Sequence, residues 1–216
     1  MSFRSSITSV AVVAVALSSL VLSGAATRAA AEEGDFTPHG EVSIMGGVQA
    51  LNQNDTALPD AFINVPAVAA ATYHFSPSLA VEGEFTWMIP LKQEVDLGGG
   101  QNQDRKNPDV LVYMANLRAT LPGRVVRPYL TGGAGAVTFL SNTDPDRLPQ
   151  LDQSQTAFAA NLGAGLTYGL TERLSLRADA REIVAFPSKD TAGLSSGGEA
   201  DEVWMERGTL GFAYRF

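Results

Sequence analysis

The sequence predicts an all-β fold, an eight-stranded antiparallel up-and-down transmembrane β-barrel. Three observations predict it. Apolar and polar side chains alternate along eight segments with the period of a β-strand. Short and long connections alternate strictly between these segments. The last residues, 204–216, form an amphipathic strand that ends on the aromatic Phe216. Hairpins repeated in this way are typical of a barrel with long loops at one end and short turns at the other.

The N-terminal segment has the three parts of a secretory signal peptide. Arg4 supplies the positive charge, residues 10–22 are mainly apolar, and Ala29-Ala30-Ala31 form a small-residue cleavage site. We therefore expect residues 1–31 to be removed and residues 32–216 to form one barrel domain. The alternative, a membrane anchor, is disfavoured because the apolar stretch is short. No other segment reaches 18 apolar residues, which argues against a helical membrane protein.

Composition excludes several classes of function. The chain has no cysteine, so it has neither a disulfide framework nor a thiolate metal site. Two histidines argue against a histidine-based metal centre. Without Arg4 and Arg28 of the signal peptide, 13 basic residues face 23 acidic ones, a net charge of −10. We therefore expect no metal, no cofactor and no nucleic-acid partner.

The predicted strands and connections follow one another regularly along the chain. The strands are 38–51, 62–75, 79–91, 109–121, 127–140, 156–170, 174–187 and 203–216. The short connections are 76–78, 122–126 and 171–173, and the long polar ones are 52–61, 92–108, 141–155 and 188–202. Each strand has more than the roughly 9–11 tilted residues that cross a bilayer.

The alternation separates an apolar face from a polar face in the third, fourth and seventh strands. The fifth strand is too rich in glycine and alanine for its faces to be assigned. A soluble lipocalin-like barrel would hold the apolar face inside. The opposite orientation, with the apolar face outside, is favoured because no lysine lies in a strand, where a water-facing surface would normally carry some. Lys92, Lys106 and Lys189 all lie in long connections. This orientation is also favoured because the polar faces of the second and sixth strands are mostly small, which suits a crowded eight-strand interior.

The aromatic residues fall into two bands, which we interpret as girdles at the two membrane interfaces. The band at the short-turn end comprises Tyr73, Phe75, Tyr129, Tyr168, Tyr214 and Phe216. The band toward the long loops comprises Phe62, Trp87, Tyr113, Phe139, Phe158, Phe186 and Trp204.

With the polar face inside, the lumen collects a network of charged residues. They are Glu41, Glu82, Glu84, Arg118, Arg177, Asp179, Arg181, Arg207 and Arg215. Isolated buried charges are costly, so we expect these to pair across strands and plug the lumen. The alternative is a narrow ion path whose pairs can rearrange. Eight strands leave no room for a porin-sized channel.

Three segments carry a resemblance to a known family. The terminal strand resembles the closing strand of Gram-negative outer-membrane β-barrels. Residues 127–135 (RPYLTGGAG) resemble a hallmark of the small OmpA/OmpX-type outer-membrane barrels. Residues 161–165 and 171–181 are similar to the hairpin that follows it in that family.

The resemblance implies a monomeric barrel in the cell outer membrane, in contact with outer-membrane lipid and lipopolysaccharide. It also implies assembly with periplasmic chaperones and the barrel-assembly machinery, with Tyr214 and Phe216 as the C-terminal assembly signal. Two-domain members add a peptidoglycan-binding domain after the barrel. Because this sequence stops at Phe216, we do not expect that activity here.

Catalysis is the competing class of function. Some eight-stranded outer-membrane barrels are lipid A deacylases with a His-x-Ser pair, and His74-Phe75-Ser76 has that spacing. However, Ser76 precedes Pro77 in a predicted periplasmic turn, and the rest of the motif is absent. The sequence therefore favours a non-catalytic barrel that supports envelope integrity or surface interaction. An ion-permeable barrel ranks second and a lipid A-modifying enzyme third.

Overall fold

The computed structural model describes residues 36–52, 62–91, 93–96, 102–105, 108–141, 153–187 and 202–216. Its strands are β1 (His39–Asn52), β2 (Phe62–His74), β3 (Leu79–Pro90), β4 (Gln93–Asp96), β5 (Asn102–Arg105), β6 (Val110–Thr120), β7 (Val126–Phe139), β8 (Gln155–Gly169), β9 (Leu174–Phe186) and β10 (Val203–Arg215). Within these ranges no helix is both long and apolar enough to cross a membrane.

Eight of these strands close into an antiparallel barrel in the order β1-β10-β9-β8-β7-β6-β3-β2. The predicted fold class is thus confirmed, and each predicted strand lies within one residue of an observed one. The prediction missed a small hairpin inside the connection 92–108, where β4 and β5 form a separate two-stranded sheet. Their four-residue strands are too short to show a period of two.

The barrel closes between its first and last strands. β1 and β10 pair antiparallel from Glu41 opposite Arg215 to Asn52 opposite Trp204. The pairing extends past β10, because the amide of Phe216 donates to the carbonyl of Gly40 at 3.0 Å. Closure leaves no open edge in the eight-stranded sheet, which a membrane-spanning sheet requires.

The faces of the barrel are inverted relative to a soluble protein. In β3, burial alternates at each step, with Glu82 and Glu84 buried inside and Phe85 and Trp87 exposed outside. The same inversion recurs in β1, where Ile44 is 76% exposed. An apolar outer wall of this kind matches hydrocarbon rather than water, so the orientation of the faces agrees with the prediction.

The interior has two layers, of which the sequence indicated one. The charged side chains occupy the middle and the short-turn side. An apolar layer fills the side toward the long connections, formed by Met88, Val110, Val112, Met114, Val137, Phe139, Ala157, Ala159, Ile183, Ala185, Val203 and Met205. Phe139, which we expected in the outer girdle, is 2% exposed and belongs to this inner layer.

Candidate functional site

Among the residues that the structure describes, four carboxylates and four arginines lie buried in the lumen. They are Glu41, Glu82, Glu84 and Asp179, with Arg118, Arg177, Arg181 and Arg207. Each side chain projects inward because it occupies the polar phase of its strand. Equal numbers of the two charges allow every ion to be neutralised inside the barrel, where an unpaired ion would be costly.

Glu82 lies at the centre of this network. Its Oε2 is 2.7 Å from Nη1 of Arg177, and its Oε1 is 2.7 Å from Nη2 of Arg181. Glu82 is on β3 and both arginines are on β9. In the closed strand order, β3 and β9 are four strands apart in either direction, so they face each other across the lumen. These ion pairs therefore span the full width of the barrel.

Two further carboxylates extend the network toward the long-connection end. Asp179 Oδ1 accepts a hydrogen bond from Nε of Arg181 at 2.7 Å. Glu84 accepts from Nη1 of Arg207 at 2.8 Å and lies 3.2 Å from Nη1 of Arg181. Arg181 therefore contacts three carboxylates, those of Glu82, Glu84 and Asp179. Shared partners of this kind tie β3, β9 and β10 together through one set of charges.

Tyr129 is part of the charged network, and its predicted place in an aromatic girdle is wrong. It is 2% exposed, and its hydroxyl donates to Oδ2 of Asp179 at 2.6 Å. The same hydroxyl accepts from Nε of Arg177 at 2.8 Å. The guanidinium carbon of Arg118 lies 3.8 Å from the ring centroid, within cation–π range. Tyr129 turns inward because β7 places it in the same phase as Thr131, and β7 is the strand whose faces the sequence left unassigned.

The lower part of the network reaches the short-turn end. Arg118 donates to Oε1 of Glu41 at 3.3 Å and to Oγ1 of Thr167 at 2.8 Å. His74 Nε2 is 4.0 Å from Oε2 of Glu41. The His74 ring stacks on that of His39, with centroids 4.7 Å apart. Glu41 thus lies between a fixed cation and a histidine at the mouth of the barrel.

Arg215 is not part of the buried network, which corrects its predicted place. Arg215 occupies a position of β10 that points inward, but it is the last residue of the strand and is exposed. Its Nη2 donates to the carbonyl of Glu172 in the β8–β9 turn at 2.6 Å. A strand's phase fixes the direction of a side chain but not its depth, so the terminal residue lies at the rim.

The other predicted girdle residues lie on the outer surface. Those with exposed side chains are Tyr73, Phe75, Trp87, Tyr113, Phe158, Tyr168, Phe186, Trp204 and Tyr214. The side chain of Phe62 is outside the described part of the chain. Phe216 is 72% exposed, and its ring packs over Gly40, where a Cβ would come within 2.6 Å of the ring carbons.

The His74–Ser76 pair does not have the geometry of a nucleophile and its base. Ser76 Oγ accepts hydrogen bonds from the amides of Leu79 at 2.9 Å and Ser78 at 3.3 Å, so it stabilises the β2–β3 turn. His74 instead projects into the lumen against His39. In the described ranges, no three His, Cys, Asp or Glu side chains are arranged to hold a metal ion.

The charged network also has neutral partners, which the predicted set of lumen charges did not include. Ser43 accepts from Arg177, Thr86 accepts from Arg207, and Asn116 donates to Glu82. Thr86 and Asn116 lie on the polar faces that the sequence predicted to point inward. Gln49 and Asn64, which face each other on β1 and β2, are fully buried, and neither amide group has a hydrogen-bond partner in the described part of the chain.

Comparisons with known proteins agree with this architecture. The β-barrel domain of Pseudomonas aeruginosa OprF aligns with a TM-score of 0.52 at 15% identity, covering 82% of this chain and 97% of that one. Neisserial surface protein A aligns with a TM-score of 0.55 at 14% identity, covering 84% and 100%. At such identities the likeness shows the fold alone. No curated protein matches the sequence significantly.

The family profile of the outer membrane protein beta-barrel domain matches residues 16–216, which is nearly the whole chain. The match agrees with the closed eight-stranded barrel, its apolar outer wall and its charged interior. The chain therefore belongs to the outer membrane protein β-barrel domain family.

Proposed function

We propose that this protein is a non-catalytic structural barrel of the cell outer membrane, with a closed lumen, that supports envelope integrity or presents a surface for interaction. The observation that carries the proposal is the pairing of Glu82 with Arg177 and Arg181 across the full lumen. The apolar layer between these pairs and the long connections adds a second barrier to ions, because an ion would lose its hydration there.

The proposal includes export and assembly. Residues 1–31 are removed as a signal peptide, and residues 32–216 form the mature barrel. The barrel is a monomer in contact with outer-membrane lipid and lipopolysaccharide, and it reaches the membrane with the help of periplasmic chaperones and the barrel-assembly machinery. Exposed aromatic residues at both ends of the strands support this placement, since tyrosine and tryptophan favour membrane interfaces.

Single-channel recording in a planar bilayer tests the closed lumen. We expect the purified, inserted barrel to pass no steady current over a wide voltage range. The matched variant is Glu82→Ala combined with Arg177→Ala, which removes the central ion pair without leaving either partner alone. Its insertion is checked by the shift in gel mobility on heating. Steady current through the unaltered protein would contradict the proposal.

A narrow ion-permeable barrel is the second candidate, and one observation favours it. Arg181 contacts three carboxylates, so the central pairs can exchange partners without leaving a charge unpaired. If such exchange opens a path, the unaltered protein conducts and Arg181→Gln changes its conductance. If the lumen is closed, neither protein conducts.

Catalysis is the least supported candidate. Ser76 is engaged by two backbone amides in a turn, and His74 stacks on His39 rather than approaching the serine hydroxyl. Mass spectra of lipid A from cells with and without the protein test this directly. We expect identical spectra, and an acyl loss that Ser76→Ala abolishes would establish the enzyme.

A further inference from the structure

The short-turn end of the barrel carries an arc of arginines that are far apart in the sequence; we call it the basic arc. Arg124 lies in the β6–β7 turn, Arg173 in the β8–β9 turn, and Arg215 at the end of β10. All three side chains are exposed. The strand order places these segments side by side along one half of the rim, from β6 round to β10.

Backbone hydrogen bonds join the three segments into one surface. The amide of Gly169 donates to the carbonyl of Val125 at 2.9 Å, which connects the two turns. The amide of Arg215 donates to the carbonyl of Arg173 at 2.8 Å, which connects the second turn to β10. The backbone segments that carry these arginines therefore belong to one hydrogen-bonded rim.

Positive charge predominates in this arc. Arg127, half-buried at the mouth, adds a fourth cation. Among the described residues of these three segments, Glu172 is the one acidic side chain, and it offers its backbone carbonyl to Arg215. The structure shows no ion pair for Arg124, Arg173 or Arg215 among the described residues. The opposite half of the rim, formed by β1, β2 and β3, carries His39 and the turn Ser76-Pro77-Ser78 instead.

Exposed apolar side chains alternate with these arginines. Val125, Tyr168, Leu170, Tyr214 and Phe216 are all more than two-fifths exposed. A surface that presents apolar and aromatic groups beside cations fits the boundary between hydrocarbon and headgroups. Guanidinium groups at that depth match phosphate oxygens in charge and in hydrogen-bond geometry.

We propose that this arc, formed by Arg124, Arg173, Arg215 and the apolar residues beside them, is a binding surface for the phosphate headgroups of anionic phospholipids in the periplasmic leaflet. The inference rests on the proposed membrane placement, with the short turns on the periplasmic side. The arc attracts anionic lipid because each arginine near a negatively charged lipid surface strengthens association about fivefold. It makes the lipid shell asymmetric, with anionic lipid enriched beside β6 to β10.

Lipid selectivity measured by electron paramagnetic resonance tests the proposal. The barrel is reconstituted in dimyristoylphosphatidylcholine bilayers with spin-labelled phosphatidylglycerol or, separately, spin-labelled phosphatidylcholine. We expect severalfold stronger association of the anionic probe at low salt. Salt at about 1 M shortens the Debye length to about 3 Å and should remove most of that preference.

Variants separate the arc from the charge of the whole protein. Arg124→Gln/Arg173→Gln should bring the ratio of phosphatidylglycerol to phosphatidylcholine association close to one. Arg124→Lys/Arg173→Lys should retain most of the preference for phosphatidylglycerol. The control, Lys106→Gln/Lys189→Gln, removes the same charge from the long connections and should leave the preference unchanged. An unaltered preference in Arg124→Gln/Arg173→Gln, or equal loss in the control, would overturn the inference. Inserted barrels without any preference would overturn it too, whereas a protein that fails to insert would contradict the membrane placement itself.

Discussion

Gly165 and Tyr129 face each other on β8 and β7, and the absence of a side chain at Gly165 makes room for the buried ring of Tyr129. A Cβ built at Gly165 would overlap the phenol ring. The pair explains how a tyrosine enters a lumen already crowded with arginines. It also explains why the hydroxyl of Tyr129 reaches both Arg177 and Asp179.

Gly165→Ala should therefore destabilise the barrel. The added methyl group displaces Tyr129 from Asp179, and overpacking of this kind costs about 1–3 kcal/mol. The free energy of unfolding in urea, followed by tryptophan fluorescence in lipid vesicles, measures the effect. Gly83→Ala is the control, because a Cβ there meets nothing within 4 Å. Equal stability of the two variants would show that the tyrosine does not depend on Gly165.

Glu82→Gln should be among the most destabilising single changes. It removes the charge that Arg177 and Arg181 share, and breaking a buried ion pair on one side costs about 3–5 kcal/mol. The midpoint of thermal loss of the fast-migrating folded band on gels measures the change. Glu206→Gln is the control, since Glu206 is exposed on the outer face. If Glu206→Gln lowered the thermal midpoint as much as Glu82→Gln, the central role of Glu82 would be contradicted.

Replacing the unpaired amides should stabilise the barrel. Gln49 and Asn64 are each 0% exposed, and their side-chain nitrogen and oxygen atoms have no hydrogen-bond partner among the described residues. An unsatisfied buried polar group costs about 1–3 kcal/mol, so Gln49→Leu/Asn64→Leu should raise the free energy of unfolding by about that amount. Urea titration in vesicles measures it. Asn116→Leu removes a hydrogen-bond donor to Glu82 and should therefore lower the free energy of unfolding.

A lysine on the outer wall should be costly in a bilayer. Ile44→Lys places a charge on the lipid-facing side of β1, where such substitutions cost about 2–4 kcal/mol near the bilayer centre. Ala50→Lys, on the same face closer to the long connections, should cost about 0–1 kcal/mol. Unfolding titrations in vesicles compare the two. Equal, negligible costs would indicate a water-facing wall.

Gly40→Val should displace the terminal aromatic ring, because a Cβ at Gly40 comes within 2.6 Å of the Phe216 ring carbons. If Phe216 acts as the assembly signal, Phe216→Ala should lower the amount of folded barrel in cells while spontaneous refolding into vesicles is nearly unchanged. Densitometry of the heat-shifted band in both settings makes the comparison. Equal losses in cells and in vesicles would assign Phe216 a purely structural role.

The sequence by itself determined the architecture and the inward set of charges. Alternation with a period of two is a local property, so strand bounds and the polar phase of β3, β6 and β9 could be read directly. Acidic and basic residues on those phases then had to meet inside, since isolated buried ions are costly. Eight of the nine predicted lumen charges are buried in the structure, with Arg215 as the exception.

Only the tertiary structure decided which residues meet. The contact between Glu82 and Arg177 depends on the closed strand order, which places β3 opposite β9 and which no local pattern contains. The inward positions of Tyr129 and Phe139 could not be predicted because glycine and alanine blur the faces of β7. Its inward face is visible only from its pairing with β6 and β8. The basic arc at the rim likewise depends on strand pairing, which places the turns of neighbouring hairpins side by side. The period of two is a local property of the sequence. Strand register and barrel closure are long-range, and the charged network in the lumen depends on both.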